Sequence, residues 1–252
     1  MWQALENNGT RFHQGQLVLV AAGPGTGKSA FMLTYALRSK VPTLYFSADS
    51  DAFTQTSRAV SILMDWDIDE ATEAVLSNDL GDAEDALDQI PLRLHYGASP
   101  TLADIEEHVE AYFEVYDVFP TLIVIDNVTN VRLDESSDED ASGSGGLESL
   151  MQYLADMARQ TQACVIGLHH VKGDYNDNDK PIPLSGVKGQ ITGVPSVVLT
   201  LHRQSSEFGP DKLMVSTVKN RGGIADSSGL SPAELQFIGS RMQIRDILGG
   251  IT

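Results

Sequence analysis

The sequence predicts an α/β fold: a mostly parallel central sheet flanked by helices, with an antiparallel extension at the C-terminal end. Three observations predict it. Leu17 to Ala22, LVLVAA, is an uninterrupted apolar run with the length and composition of a strand buried on both faces. Four more apolar segments follow, separated by stretches of helical spacing, which is the alternation of parallel strands joined by helical crossovers. Two late strands and a last hairpin are then linked by short polar turns. The 252 residues are 42% hydrophobic, enough for one substantial core, so residues 1–252 read as a single domain.

The chain opens with a short polar stretch, residues 1–16. Trp2 and Phe12 are its candidate packing anchors, and Asn8, Gly9 and Gly15 are turn residues. The first strand runs into Gly23, Pro24, Gly25, Thr26 and Gly27, and a helix-compatible segment starts at Lys28. Strand, glycine-rich turn, helix is the context of a phosphate-binding loop. Such a turn aims backbone N–H groups at one point, and the helix N-terminus adds partial positive charge. Gly25 and Gly27 let the backbone approach the oxygens. Lys28 then reaches the β- and γ-phosphates, the Ser29 hydroxyl ligates Mg2+, and Ala30 completes the cradle. Ala22 stands where the usual pattern has its first glycine, and is small enough to keep the turn.

In the helix that follows, Phe31, Tyr35 and Ala36 share an inward face. A second strand occupies Val41 to about Ser47 and leads to Asp49 and Asp51, and a helix spans Ala52 to about Met64. Asp65 to Asp88 is strongly acidic, with Ile68, Ala71, Val75, Ala83 and Leu87 at roughly helical intervals, as in helices with a solvated face. Pro91 to Tyr96 is the third strand. Ser99-Pro100-Thr101 starts a helix with Ile105, Val109 and Phe113 a turn apart. TLIVIDN, Thr121 to Asn127, is the fourth strand. Asp134 to Gly146, DESSDEDASGSGG, reads as an acidic linker. A helix from Leu147 to Arg159 precedes the fifth strand, Ala163 to Leu168, and a polar loop from Gly173 to Pro183. Val197 to Leu201 and Leu213 to Val218 are the late strands; Glu234 to Ile238 and Met242 to Ile247 form the hairpin.

The formal net charge is −18, from 35 acidic and 17 basic residues. That balance argues against a protein gripping nucleic acid over a broad face. A local basic channel stays compatible, because exposed charges beyond about 10 Å are largely screened at 0.1 M salt. The single cysteine, Cys164, lies in the apolar stretch ACVIGL. An intrachain disulfide is impossible, and a buried thiol in a reducing cytoplasm fits. No apolar run is long enough to span a bilayer, and the first residues lack a secretory signal pattern.

In parallel sheets ligands sit at the carboxyl ends of the strands. The phosphate loop, Asp49, Asp126 and His170 all fall at such ends. Asp126, closing an apolar strand, has the setting of the acid that holds magnesium through water. Asp49 is placed to polarise an attacking water, with Asp51 as the alternative. His170 is placed to sense a γ-phosphate, with His169 as its neighbouring competitor and a structural role as the plainer reading. The basic groups near these loops, Arg132, Lys172, Lys180 and Lys188, are the candidate nucleic-acid contacts.

These motifs, in this order, resemble the RecA-like motor domain of DnaB-type replicative helicases. The resemblance runs from FHQGQLVLVAAGPGTGKSAF to STVKNRGG, nearly the whole chain. YFSADS sits where that family's strand ends in its catalytic glutamate, which corresponds to Asp49, one methylene shorter. TLIVIDNV corresponds to the Walker B strand. CVIGLHHVKGD corresponds to the strand whose terminal glutamine senses phosphate. His170 takes that place, which would make sensing pH-dependent. PLSGVKGQ and VPSVVLTLHR resemble the loop and strand before the family's final hairpin. KNRGG resembles its paired basic residues, which reach the γ-phosphate of the neighbouring subunit. They correspond to Lys219 and Arg221, at a strand end suited to an edge. The family's N-terminal helical domain, which binds primase, has no counterpart in these residues. The run 134–146 is acidic where the family contacts single-stranded DNA.

The resemblance implies a RecA-like P-loop NTPase that uses ATP and Mg2+ and forms a hexameric ring or filament. It implies a helicase translocating on single-stranded DNA, with loader or primase proteins as further partners and no membrane association. A motor this compact suits a virus or mobile element. Two rival readings are a RecA- or KaiC-like ATPase acting on protein partners or in recombination without unwinding, and a nucleotide-binding scaffold with weak hydrolysis.

Overall fold

The computed structural model describes residues 2–133 and 144–247. Its strands are β1 (Leu17–Ala22), β2 (Thr43–Ser47), β3 (Leu92–His95), β4 (Leu122–Asp126), β5 (Cys164–His169), β6 (Val197–Gln204), β7 (Asp211–Asn220), β8 (Ala233–Ile238) and β9 (Gln243–Asp246). Its helices are α1 (Gln3–Asn7), α2 (Lys28–Ser39), α3 (Ala52–Met64), α4 (Ile68–Ser77), α5 (Asp82–Asp88), α6 (Leu102–Tyr116) and α7 (Ser144–Thr161). The described strands form a nine-stranded sheet in the order β3-β2-β4-β5-β1-β6-β7-β8-β9. The first six in that order run parallel; β7, β8 and β9 extend the sheet antiparallel.

The unbroken apolar runs follow from burial on both faces. Along β1, Leu17, Leu19 and Ala21 pack with α6 and α7, while Val18, Val20 and Ala22 pack with α1 and α2. In β4 the split is Ile123 and Ile125 against Leu122 and Val124. Helix starts follow local chemistry. Thr101 and Asp104 form a reciprocal capping box at α6, and the Asp51 carboxylate accepts from Thr54 N at α3. The acidic stretch resolves into α4 and α5, which bury Ala71 and Ala83 against Val60 and leave Asp69, Glu70, Glu84 and Asp85 exposed.

Three expectations need correction. Helix α7 begins at Ser144 and takes in Gly145 and Gly146, although composition assigns them to the linker; positions 134–143 lie outside the described residues. The stretch before β1 contains a helix, α1, too short to show periodicity. Strand β7 sits between β6 and β8, so Lys219 does not lie on an edge strand; β3 and β9 are the edges. Among the described residues no helix is long and apolar enough to cross a membrane.

The N-terminal anchors hold as expected. Trp2 stacks on Phe31 at 4.6 Å, and its Nε1–H donates to the Ile244 carbonyl at 2.9 Å. Phe12 meets Tyr35 edge-on at 5.1 Å. Because Trp2 ties α2 to β9, Trp2→Ala should lower the unfolding free energy by about 3–5 kcal/mol, the usual cost of truncating a buried tryptophan. Trp2→Phe should lose less, keeping the stack without the hydrogen bond. Urea unfolding measures both, and an unchanged midpoint for Trp2→Ala would contradict this docking.

Candidate nucleotide site

The site is built where β1 hands the chain to α2. Gly25 and Gly27 have φ of +72° and +111°, where a Cβ is penalised, whereas Ala22 has no such backbone and keeps its methyl without strain. Lys28 folds back beneath the loop. Its Nζ donates to the carbonyls of Ala22 at 3.2 Å and Gly23 at 3.3 Å, and only 9% of the residue is exposed. Burial lowers its pKa, and the negative charges of Asp126 and Asp49 oppose that fall.

Asp126 ends β4 and is 3% exposed. The Tyr45 hydroxyl donates to its Oδ2 at 2.9 Å. Burial pushes its pKa up; hydrogen bonds from Ser29 and Tyr45, and the charge on Lys28, pull it back, while Asp49 adds to the rise. The buried Tyr45 phenol is itself held well above its ordinary value, first by burial and then by Asp126, so it stays a donor. The Asp126–Asn127 peptide is cis.

Asp49 sits exposed in the turn after β2, and Asn130 Nδ2 donates to its Oδ1 at 3.1 Å. Gln55 Nε2 to Ser47 Oγ, 2.8 Å, and Arg58 Nη1 to Ser50 Oγ, 3.0 Å, brace that turn. Asp51 is engaged elsewhere, as the cap of α3. Of the two, Asp49 is the one whose charge is felt at Lys28, Tyr45, Asp126 and His170.

His170 lies one residue past β5, and its Nε2 is 2.6 Å from the side-chain amide nitrogen of Asn127. Burial lowers its pKa, and Lys28 and Lys188 lower it further. His169 is fully buried; its Nε2–H donates to the Lys188 carbonyl at 2.9 Å, and its Nδ1 has no partner among the described residues. His169 therefore pins the Lys188 segment, while His170 makes its contact beside Asp126.

The structure thus gathers Lys28, Ser29, Asp49, Asp126 and His170 at one end of the sheet. Lys172 and Lys188 join them on neighbouring backbone: Val171 bridges Val187, and Lys172 N donates to the Gly186 carbonyl at 2.8 Å. Lys180 lies over the Tyr175 ring at 5.3 Å. Arg132 is apart from them, with its Nε donating to the Ser99 carbonyl at 3.4 Å before α6. Lys219 and Arg221 sit at the opposite end. Both donate to the Gly193 carbonyl, at 2.8 and 2.7 Å, and Arg221 N bonds Ser196, whose N–H meets Leu17 at the start of β1. Residues that sequence reasoning missed are Tyr45, read as plain core; Asn127 and Asn130, adjacent to Asp126 in DNVTN; and Asn178. Asn178 accepts from the Thr26 hydroxyl and donates to the Pro24 carbonyl.

A mainly parallel sheet with a phosphate-binding loop after a central strand, an acid closing a nearby strand and an antiparallel C-terminal extension defines a RecA-like α/β fold. The chain belongs to the DnaB-like helicase C terminal domain family, which matches residues 2–242. It is 61% identical over 247 residues to the Gene 65 protein of Mycobacterium phage L5, covering 98% of this chain and 91% of that one. It is 62% identical over 231 residues to the Gene 65 protein of Mycobacterium phage D29, covering 91% and 99%. Among similar solved structures, one described as an ATPase domain gives a TM-score of 0.78 at 16% identity over 94% of this chain and 86% of that one. A DnaB-like replicative helicase, described with its interactions with primase, gives 0.79 at 17% over 94% and 58%. The RadB recombinase gives 0.64 at 18% over 98% and 97%. At these identities the likeness to the solved structures is one of fold.

The buried histidine makes a pH prediction. Burial takes the His169 pKa from 6.5 down to about 4. A depressed histidine contributes stability above its unfolded pKa and loses it as pH falls through the window between 6.5 and 4. The slope is at most about 1.4 kcal/mol per pH unit. His169→Gln keeps an amide donor for Lys188 and removes the titration. Wild type should therefore lose unfolding free energy more steeply than the variant as pH falls across that window. Parallel profiles would show that His169 is not held neutral.

Proposed function

We propose that the protein is a magnesium-dependent ATPase that assembles head to tail into a hexameric ring or filament and moves on single-stranded DNA as a helicase. The observation that carries this reading is the buried Lys28 and Asp126, with Ser29, Asp49 and His170 around them, in a chain of the DnaB-like helicase family. The triphosphate lies on the backbone N–H groups of Gly23 and residues 25–30, Pro24 having none, and the desolvated Lys28 ammonium pairs with its β- and γ-oxygens. Phe237, whose ring lies against Gly27, also lines an open cleft of about 550 Å3 with Arg203, and we place the nucleoside there.

Ser29 and Asp126 offer two neighbouring oxygen donors of the kind Mg2+ takes, and a carboxylate whose burial disfavours its charge is one that a cation relieves. When bound, Mg2+ neutralises charge on the β- and γ-phosphates. Asp49 orients the attacking water and accepts its proton, held in place by Asn130. His170 registers the γ-phosphate, and its backbone carbonyl, which accepts from Lys188 N at 3.3 Å, passes that contact to the Lys172 and Lys188 segment. Lys219 and Arg221 serve the neighbouring subunit. The six residues of β1 separate them from their own loop by roughly 17 Å at about 3.3 Å per residue. A head-to-tail interface is where such groups meet a neighbour's phosphate.

Lys172, Lys180 and Lys188, with Arg132, repeat around a ring and line its hole for a single strand, helped by backbone N–H groups. A primase or loader is the further partner, by analogy with the helicase described with primase, and the cytoplasm is the compartment.

Two outcomes test the assignments. Asp49→Asn should bind ATP but hydrolyse it about 10²–10⁴-fold more slowly, as expected when a general base is lost. Asp49→Glu, with its longer reach, should hydrolyse at least as fast as wild type. Normal turnover in Asp49→Asn, read by phosphate release, would remove Asp49 from the chemistry.

Arg221→Ala should also bind ATP and hydrolyse it poorly. Mixed with Lys28→Ala protein it should regain activity, because some interfaces then pair an intact Lys28 with an intact Arg221. No recovery in mixed assemblies of verified composition would contradict a shared site.

A further inference from the structure

We propose that Asn178 is a positioning residue of the phosphate loop: it holds the loop in the form that accepts a triphosphate. This rests on the reading of that loop as the nucleotide site. The loop Gly173 to Pro183 follows β5 and returns over the outer face of residues 23–26. There the Asn178 amide makes two bonds at once, accepting from the Thr26 hydroxyl and donating to the Pro24 carbonyl. Thr26 is fully buried, and its single hydroxyl proton is shared between Asn178 Oδ1 and the Gly23 carbonyl, 2.9 Å away. One side chain therefore braces the loop from outside, at Pro24 and Thr26 directly and at Gly23 through Thr26.

The packing at Gly23 supports this. A Cβ on Gly23 would collide with Asn178 Oδ1 and reach the Asn176 carbonyl at 3.0 Å. Gly23 is thus required by the approach of the 173–183 loop, not by its own backbone, which is absent from the left-handed region.

Asn178 is in turn fixed from behind. Its carbonyl accepts from Arg203 N at the end of β6, at 2.7 Å, and its φ is +63°, a conformation that asparagine tolerates better than most residues. The Pro24 carbonyl, tied to Asn178, leaves the Gly25 N–H of the same planar peptide pointing the opposite way, which is the orientation an anion needs. Without the brace, the free loop must be ordered by the nucleotide itself, and that ordering is subtracted from affinity.

Two variants separate the side chain from the backbone. Asn178→Gly accepts a φ of +63° without strain and removes both bonds. Asn178→Asp keeps an acceptor for Thr26, loses the donor to Pro24 and adds a negative charge beside the phosphates. Titration of the full chain with a fluorescent ATP analogue and Mg2+ should show about tenfold weaker binding for Asn178→Gly, as expected for two lost hydrogen bonds of ordinary strength. Asn178→Asp should be weaker still, and added salt should narrow its deficit relative to Asn178→Gly. In turnover assays KM should rise with kcat nearly unchanged, because Lys28, Ser29, Asp49 and Asp126 are untouched. The melting temperature of the nucleotide-free protein should fall by no more than a few degrees, the shift that the same tenfold, about 1.4 kcal/mol, produces in a domain of this length. Wild-type affinity in Asn178→Gly, or kcat falling as steeply as KM rises, would overturn the proposal. Lys28→Ala provides the control: if it hydrolyses ATP at the wild-type rate, the nucleotide site itself is misplaced. If it is inactive while Asn178→Gly binds normally, only the role of Asn178 fails.

Discussion

The architecture turns on a lysine ammonium kept largely out of water. Burying such a group is costly unless its donors are used and opposite charge is near. Here the carbonyls of Ala22, at the end of β1, and Gly23 accept its hydrogen bonds, and Asp126 and Asp49 supply the charge. Both acids come from strands on the far side of β5, so the arrangement exists only if β2, β4, β5 and β1 are in register. Asp126, equally desolvated, is steadied by Tyr45, which is rooted in the middle of β2. The sheet thus places charge at one end of its strands, while its two apolar layers provide the stability that this placement consumes. A charge already stripped of water interacts strongly with an incoming phosphate, without first reorganising solvent.

Much of this is legible in the chain. The β1, β2, β4 and β5 runs are apolar on both faces, and a strand of that kind has few other places to go. The phosphate loop declares itself because the chemistry needs glycine at fixed places. What the sequence conceals shares a physical reason. Tyr45 looks like core, because its ring packs as a phenylalanine ring would, and only the partner of its hydroxyl reveals the role. Asn127, Asn130 and Asn178 act through bonds to residues 43, 81 and 152–154 positions away. Periodicity does not report contacts of that range. Helix α1 and the first turn of α7 are hidden because the one is short and the other glycine-rich, and packing decides them instead.

The charge distribution makes sense in the same frame. Several cations are committed to the fold: Arg203 to Asp211, Lys212 to Glu234, Arg241 to Asp67 and Arg245 to Asp65. The acids of α4 and α5 are exposed to solvent. Lys172 and Lys188 make no ion pair among the described residues and stand beside His170. A chain of net charge −18 therefore still carries two exposed lysines, Lys172 and Lys188, beside His170.

The most direct measurement is ATP hydrolysis by the purified protein with Mg2+ at low salt, titrated with a single-stranded oligonucleotide and, separately, with duplex. A strand-translocating motor predicts turnover that rises several-fold with the single strand, rises less with duplex, and is absent from Lys28→Ala protein under every condition. Steady turnover that ignores the single strand, in protein shown to be assembled, would contradict the helicase account and favour an ATPase directed at protein partners.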